Sequence, residues 1–292
     1  MKKLLITGAS GFLGWNLCKI AKQQWQVFGV VFKNTVVGIE GITQVAADLR
    51  SYDSIKNLFA EIKPDAVIHA AAISQPNYCQ DYPQESWEIN VKASLNIAGI
   101  CADNSIECVF TSTDLVFNGL NAPYSENDEV CPISVYGEQK VMAEKGMRAR
   151  YPLTAICRMP LMFGYGGMAK SFIQPMLQSL REGKELALFV DEFRTPVSGE
   201  TAARGLLLAL EKKVSGVLHL GGKERVSRYE FMRLLVEELG LNQAKLKSCR
   251  QKDVKMAAPR PPDVSLDSSK AMALGYQPLS LREEFQKLRG IV

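Results

Sequence analysis

Tyr136-Gly-Glu-Gln-Lys140 is the stretch whose residue types and spacing could move a proton. In a helix, positions four apart share a face. A free phenol titrates near ~10, too high to exchange a proton easily at neutral pH. A neighbouring ammonium favours the phenolate and is expected to draw that value down. Some two dozen positions upstream, Val109-Phe-Thr-Ser-Thr-Asp114 ends an apolar run in hydroxyls. Thr113 is placed to hold a carbonyl while Tyr136 protonates its oxygen. A second Y-x-x-x-K, Tyr52 to Lys56, has no hydroxyl-rich run just before it. It reads as a solvated helix start and makes an internal control.

The elements that must position this set begin at residue 1. Lys2 and Lys3 lead into Leu4-Leu5-Ile6, which breaks at Gly8, Gly11 and Gly14 before a helical stretch. An apolar strand turning on glycines into a helix brings backbone N–H groups onto a pyrophosphate. Gly8 permits the turn, Gly11 close approach of a dinucleotide, and Gly14 tight helix–strand packing. Val67-Ile68-His69 ends in Ala70, Ala71 and Ala72, where bulk would block a nucleotide. His69 itself reads as a packed neutral imidazole. Specificity for NAD usually needs a carboxylate at the end of the second strand. Here that strand ends Val30-Val31-Phe32-Lys33-Asn34, with no acid before Glu40. Lys33 facing a 2′-phosphate makes NADP the expected cofactor, with NAD still open.

Apolar runs alternate with helical patterns as in a parallel sheet with crossovers. Strands are predicted at Lys3–Thr7, Gln26–Phe32, Thr43–Ala46, Ala66–His69, Glu107–Thr111 and Leu153–Arg158, with helices near 12–24, 51–62, 84–103 and 134–150. After Pro160 helices are expected at 169–182, 200–211, 228–239 and 280–289, with short strands near 186–190 and 217–220. Phe231, Leu234, Leu235 and Leu239 form a core stripe, leaving Glu237-Glu238 as a solvated face. The expected fold is α/β: a Rossmann-type doubly wound parallel sheet with a smaller C-terminal α/β substrate-binding part. Residues 1–165 form the dinucleotide-binding domain and 166–292 the substrate-binding part, the segment near 191–222 being a candidate to return to the first domain.

The chain has 292 residues, a net charge of +4 and no dense Lys/Arg block, so nothing argues for nucleic acid. No apolar run approaches a membrane span. Seven cysteines without a C-x-x-C pair read as free thiols, and a cytoplasmic location is expected. With His69 and His219 the only histidines, no metal site is expected.

Thr7-Gly-Ala-Ser-Gly-Phe-Leu-Gly14 and the Thr113/Tyr136/Lys140 set resemble the extended short-chain dehydrogenase/reductase superfamily. More narrowly, Ser112-Thr-Asp-Leu-Val-Phe-Asn-Gly119, Pro123-Tyr-Ser-Glu126, Pro132 and Tyr136-Gly137 are similar to dTDP-4-dehydrorhamnose reductases. So are Asp191-Glu-Phe-Arg-Thr-Pro196 and Arg260-Pro-Pro-Asp-Val-Ser-Leu-Asp267. The resemblance implies NAD(P)H-dependent reduction of a 4-keto group on a nucleotide-activated 6-deoxy sugar, within dTDP-rhamnose biosynthesis. It makes Thr113, Tyr136 and Lys140 the catalytic residues. Gly8, Ser10, Gly11, Phe12, Leu13, Gly14, Lys33, Asp48, Leu49, Ala70, Ala71 and Ala72 join Tyr136 and Lys140 around the cofactor. Asp48 and Leu49 would flank the adenine, and Lys140 would hold the nicotinamide ribose. Ser74, Thr113, Asp114 and Arg260 would meet the substrate, Arg260 through a phosphate.

The partner is then a nucleotide sugar, with no membrane involved and a homodimer allowed. Three positions depart from the family pattern: Leu115 for an aromatic, and Asn16 and Asn77 for acids. Two other readings fit the same residues. One is an epimerase or dehydratase of the superfamily; the other is a non-catalytic regulatory subunit resembling the methionine adenosyltransferase β subunit.

Overall fold

The computed structural model describes residues 1–292. The first half alternates strand and helix: β1 (Lys3–Thr7), α1 (Phe12–Ala21), β2 (Gln26–Val31), β3 (Thr43–Ala46), α2 (Tyr52–Ile62) and β4 (Ala66–His69). Then come α3 (Pro76–Asp81), α4 (Pro83–Trp87), a π-helical turn at Glu88–Lys92, α5 (Ala93–Asp103) and β5 (Glu107–Thr113). A 3₁₀ turn at Asp114–Val116 leads to α6 (Val135–Arg150), β6 (Ala155–Met159), β7 (Met162–Phe163) and α7 (Ile173–Arg181). The remainder is β8 (Glu185–Phe189), β9 (Phe193–Arg194), β10 (Val197–Ser198), α8 (Gly199–Glu211), β11 (Gly216–His219), β12 (Val226–Ser227), α9 (Arg228–Glu238), β13 (Lys245–Cys249), α10 (Ser269–Ala273) and α11 (Leu281–Leu288).

Seven strands form one sheet in the order β11-β6-β5-β4-β1-β2-β3, every pairing parallel. Successive β1 side chains point to opposite faces, and both faces are covered. Leu4 and Ile6 enter the core containing Leu17 of α1 and Leu206 of α8. Leu5 enters the opposite core with Leu58 of α2, Ile97 of α5 and Met147 of α6. Strand order reverses between β1 and β4, which opens a crevice beyond Thr7 and His69, where open α/β sheets take their ligands.

A smaller unit packs α7, α9 and α11 over the parallel pair β8–β13, around Phe163, Phe231 and Phe285. The antiparallel pair β9–β12 lies beside it in the chain. The 217–220 expectation corresponds to β11, which joins the main sheet beside β6 rather than the smaller unit.

Several boundaries differ from expectation for physical reasons. The predicted helix 84–103 is interrupted by the π-helical turn, which turns Asn90 inward to bond Ile73 on both N and O and to donate to Gln139. Strand β5 runs two residues past its predicted end, because Ser112 and Thr113 still pair with Arg158 and Met159. Strand β6 starts at Ala155, and Leu153 is exposed on a turn. Glu238 is not on a solvated face: Arg282 and Arg289 close over its carboxylate and leave the side chain 7% exposed.

Gly14 decides the contact between α1 and the turn after β1. A Cβ there would collide with the Gly8 carbonyl oxygen. Gly14→Ala is expected to cost about 1–3 kcal/mol, the usual scale of overpacking. Thermal unfolding of that variant should fall by several degrees.

Candidate active site

The site is assembled where the last residues of β5 meet the first turn of α6. Thr113 ends the strand, and its hydroxyl caps the 3₁₀ turn by accepting from Leu115 N at 3.2 Å. The same hydroxyl donates to Asp114 Oδ1 at 3.2 Å. Helix α6 is capped by Ser134, whose hydroxyl accepts from Gly137 N at 3.2 Å. A Cβ at Gly137 would run into the Leu115 carbonyl, so only glycine lets the helix sit this close. That close seat sets Tyr136, in the first turn of α6, against the turn that Thr113 caps. Tyr136, Thr113, Asp114 and Lys140 are all buried.

The electrostatics of Tyr136 run opposite to the sequence expectation. Burial pushes the phenol well above its ordinary value, with Cys79 and Asp114 adding and Thr113 opposing. Lys140 is not what sets it. The lysine Nζ donates to the Thr111 carbonyl at 2.6 Å and lies 4.0 Å from the Phe110 ring centroid. Burial lowers the lysine itself to about 7, against the pull of Glu144 and Cys79. Without ligand the phenol is therefore firmly protonated, which suits a proton donor. Tyr52, the control, is exposed at the start of α2.

The crevice beyond β1 and β4 fits a dinucleotide. Gly8 takes φ +70°, and a Cβ on it would approach Ala71 Cα and N at 2.8 Å. Thr7 locks the two strand ends by accepting from Ala70 N and Ala71 N at 3.1 Å each. His69 is fully buried between Thr7 and Ser94, and burial lowers it to about 3, so it stays neutral. Gly11 is exposed, and a Cβ there would meet only the Gly8 carbonyl oxygen, at 3.2 Å. No side chain caps α1, and its first turn carries no acid. Its leading N–H groups therefore face an open surface suited to phosphate. Ser10 and Phe12 are half-buried at this turn, while Leu13 is core. Asn16 is spent internally, donating to the Phe12 and Tyr165 carbonyls.

At the far end of the crevice, Leu49 is buried and Asp48 is gripped by Arg50 at 2.7 Å. Arg50 and Lys33 both lie over the exposed Phe32 ring, at 5.2 and 5.8 Å from its centroid. The sequence reading missed Arg50, although it directly follows Asp48-Leu49.

Beyond Asp114 the site carries cations. Arg194, Arg228 and Arg260 each leave Nη1 buried with no hydrogen-bond partner. Arg194 disfavours the charge of both other guanidiniums, and Arg260 that of Arg228. Glu192 bonds Arg194 at 3.3 Å, and Arg194 Nε lies 3.6 Å from Asp114 Oδ2. Burial raises Asp114 to about 6, with Arg194 opposing. Arg228 stacks on Phe172 at 4.3 Å. Arg260 donates to Asn77 Oδ1 at 3.1 Å, and Asn77 also accepts from Ala258 N. An unpaired buried guanidinium N–H is costly, so three of them together mark a place built for an anion. Arg260 was named from sequence, but Arg194 and Arg228 were not. Arg228 looked like an ordinary helix start, and nothing local tells that Phe172 and Glu192 lie beside it. Ser74 is exposed on the loop after β4 and is not drawn into this cluster.

Known proteins share this arrangement of chain. A dTDP-4-dehydrorhamnose reductase structure from Clostridium acetobutylicum superposes with a TM-score of 0.86 at 26% identity, covering 98% of each chain. The spore coat polysaccharide biosynthesis protein SpsK of Bacillus subtilis is 28% identical over 290 residues, 98% of this chain and 96% of that protein. The methionine adenosyltransferase 2 subunit beta of Rattus norvegicus is 27% identical over 282 residues, 94% of this chain and 83% of its own length. The family model of the RmlD substrate binding domain matches residues 1–289, and the chain belongs to that family.

Proposed function

We propose that the protein is an NADPH-dependent reductase of a nucleotide-activated 4-keto-6-deoxy sugar, of the dTDP-4-dehydrorhamnose type. The observation that carries this reading is a buried, protonated Tyr136, with Thr113, in a chain that carries two separate anion sites. One is the glycine turn with its uncapped helix start. The other is the set of three guanidinium groups with unpartnered nitrogens.

A nicotinamide bound in the crevice supplies hydride to the keto carbon. The residues of the chain supply the rest. Thr113 donates to the carbonyl oxygen and holds it toward Tyr136. The phenol then gives its proton to that oxygen as charge develops there. Lys140 would hold the ribose hydroxyls of the bound nucleotide and stabilise the phenolate left behind. Arg194, Arg228 and Arg260 hold the diphosphate, so that binding energy far from the keto carbon orients the sugar. The free state of all seven thiols fits a reducing, cytoplasmic setting.

The test is NADPH oxidation by the purified protein with dTDP-4-keto-6-deoxy-mannose, run beside NADH and no-sugar controls. Turnover requiring both sugar and cofactor is expected. The likeness to methionine adenosyltransferase 2 subunit beta favours one second reading, a regulatory subunit. NADPH binding without turnover on any keto sugar, together with a stoichiometric protein partner in pull-downs, would select it.

Cofactor preference has its own test. Lys33→Ala is expected to narrow the preference for NADPH over NADH by roughly 10-fold, the low end for a hydrogen bond to a charged group at an exposed position. The ratio of kcat/KM for the two cofactors reads it directly.

A further inference from the structure

Lys140 is 1% exposed, yet its only hydrogen bond is to one carbonyl. An ammonium so placed loses its hydration and needs an opposing charge. The groups that face it can be named element by element. From β5 come the Phe110 ring and the Thr111 carbonyl. From α3 comes the Cys79 thiol, raised by burial and so uncharged. From β4 comes His69, which is neutral. Its own helix places Tyr136, a neutral phenol, one turn before it and Glu144 one turn on. Glu144 is the one group among these that carries a negative charge.

Glu144 is held more firmly than a helix-to-sheet tie requires. Its Oε1 accepts from the Ser112 hydroxyl and from Arg158 Nε at 3.1 Å, and its Oε2 from Arg158 Nη2 at 2.9 Å. Both side chains of the ion pair are nearly inaccessible, at 5% and 7%. Arg158 is backed by the Phe117 ring and by His219, which burial lowers to about 4. Apolar residues would join α6 to β5 and β6 at less desolvation cost. A carboxylate fixed one turn beyond Lys140 has a use that an apolar residue lacks.

We propose that Glu144, fixed by Arg158 and Ser112, is a positioning residue whose carboxylate keeps Lys140 an ammonium for cofactor binding and proton transfer. The proposal rests on the dinucleotide-binding reading above. It also assigns Ser112, the first residue of the Ser-Thr-Asp stretch, to Glu144 rather than to substrate.

The experiment compares the 292-residue protein with Glu144→Gln and with the Glu144→Gln/Arg158→Met pair, which does not strand the Arg158 charge. The Lys140 ε-carbon resonance is followed against pH by NMR in the free proteins, assigned by its loss in Lys140→Met. The midpoint is expected to fall by about one unit in Glu144→Gln, the low end for removing an opposite charge nearby, and by less in the pair, where the Arg158 charge goes with it. NADPH affinity should then stay near wild type at pH 6 and weaken at least ~5-fold at pH 8 in Glu144→Gln, and less in the pair, following that titration. An unshifted midpoint, or a loss of affinity equal at both pH values, would overturn the role of Glu144. A wild-type protein that binds no NADPH at any pH would instead overturn the dinucleotide reading, while the resonance still decides whether Glu144 holds the charge.

Discussion

Tyr136→Phe is expected to keep NADPH binding within a few-fold and to lose at least ~100-fold in turnover, the lower end of what a positioned proton donor contributes. The substitution isolates the hydroxyl. Phenylalanine fills the same buried space, so the seat of α6 on the Leu115 turn should survive. What disappears is the transferable proton. Because burial, not Lys140, sets the protonation of the phenol, the loss should persist across neutral pH. Fluorescence titration of NADPH and single-turnover kinetics separate binding from chemistry. Near-normal turnover would remove Tyr136 from its role. Tyr52→Phe should change neither quantity, since its exposed hydroxyl touches nothing in the site.

Arg260→Met should raise KM for the nucleotide sugar roughly 10- to 100-fold with kcat nearly unchanged. A hydrogen bond to a charged group is worth about 1.5–3 kcal/mol, and one made equally to bound substrate and transition state appears in KM. Arg260 is the cleanest of the three cationic positions. Its protein hydrogen bond goes to the Asn77 amide, so removing it strands no carboxylate. Arg194, by contrast, supports Glu192 and Asp114, and its loss would leave buried acids unpaired. A fall in kcat with KM unchanged would mean that Arg260 acts on the reacting sugar rather than on the diphosphate. An unchanged KM and kcat would remove it from the substrate site.

Much of this protein was legible one residue at a time. The glycine turn after β1, the small residues after β4 and the Tyr136/Lys140 spacing are local patterns with local causes. A buried parallel strand must be apolar on both faces, and a phosphate cradle must lack side chains, so both leave marks in consecutive letters. The doubly wound sheet followed from the same rhythm. The π-helical turn did not, because Asn90 is drawn inward by Ile73 and Gln139, residues 17 and 49 positions away. Glu238 looked solvated for the same reason: its partners are Arg282 of α11 and Arg289, which caps that helix.

By itself, then, the sequence determined the sheet, the glycine turn and the candidates for catalysis, since those depend on the order of side chains along single elements. Tertiary structure alone decided their electrostatics. Spacing suggested that Lys140 would draw the Tyr136 phenol down, but the phenol's protonation follows from burial, and the lysine's from burial against Glu144. The gathering of Arg194, Arg228 and Arg260 was likewise invisible, because three separate stretches of chain supply it. Charge interactions depend on distance and local dielectric, and neither is set by separation along the chain.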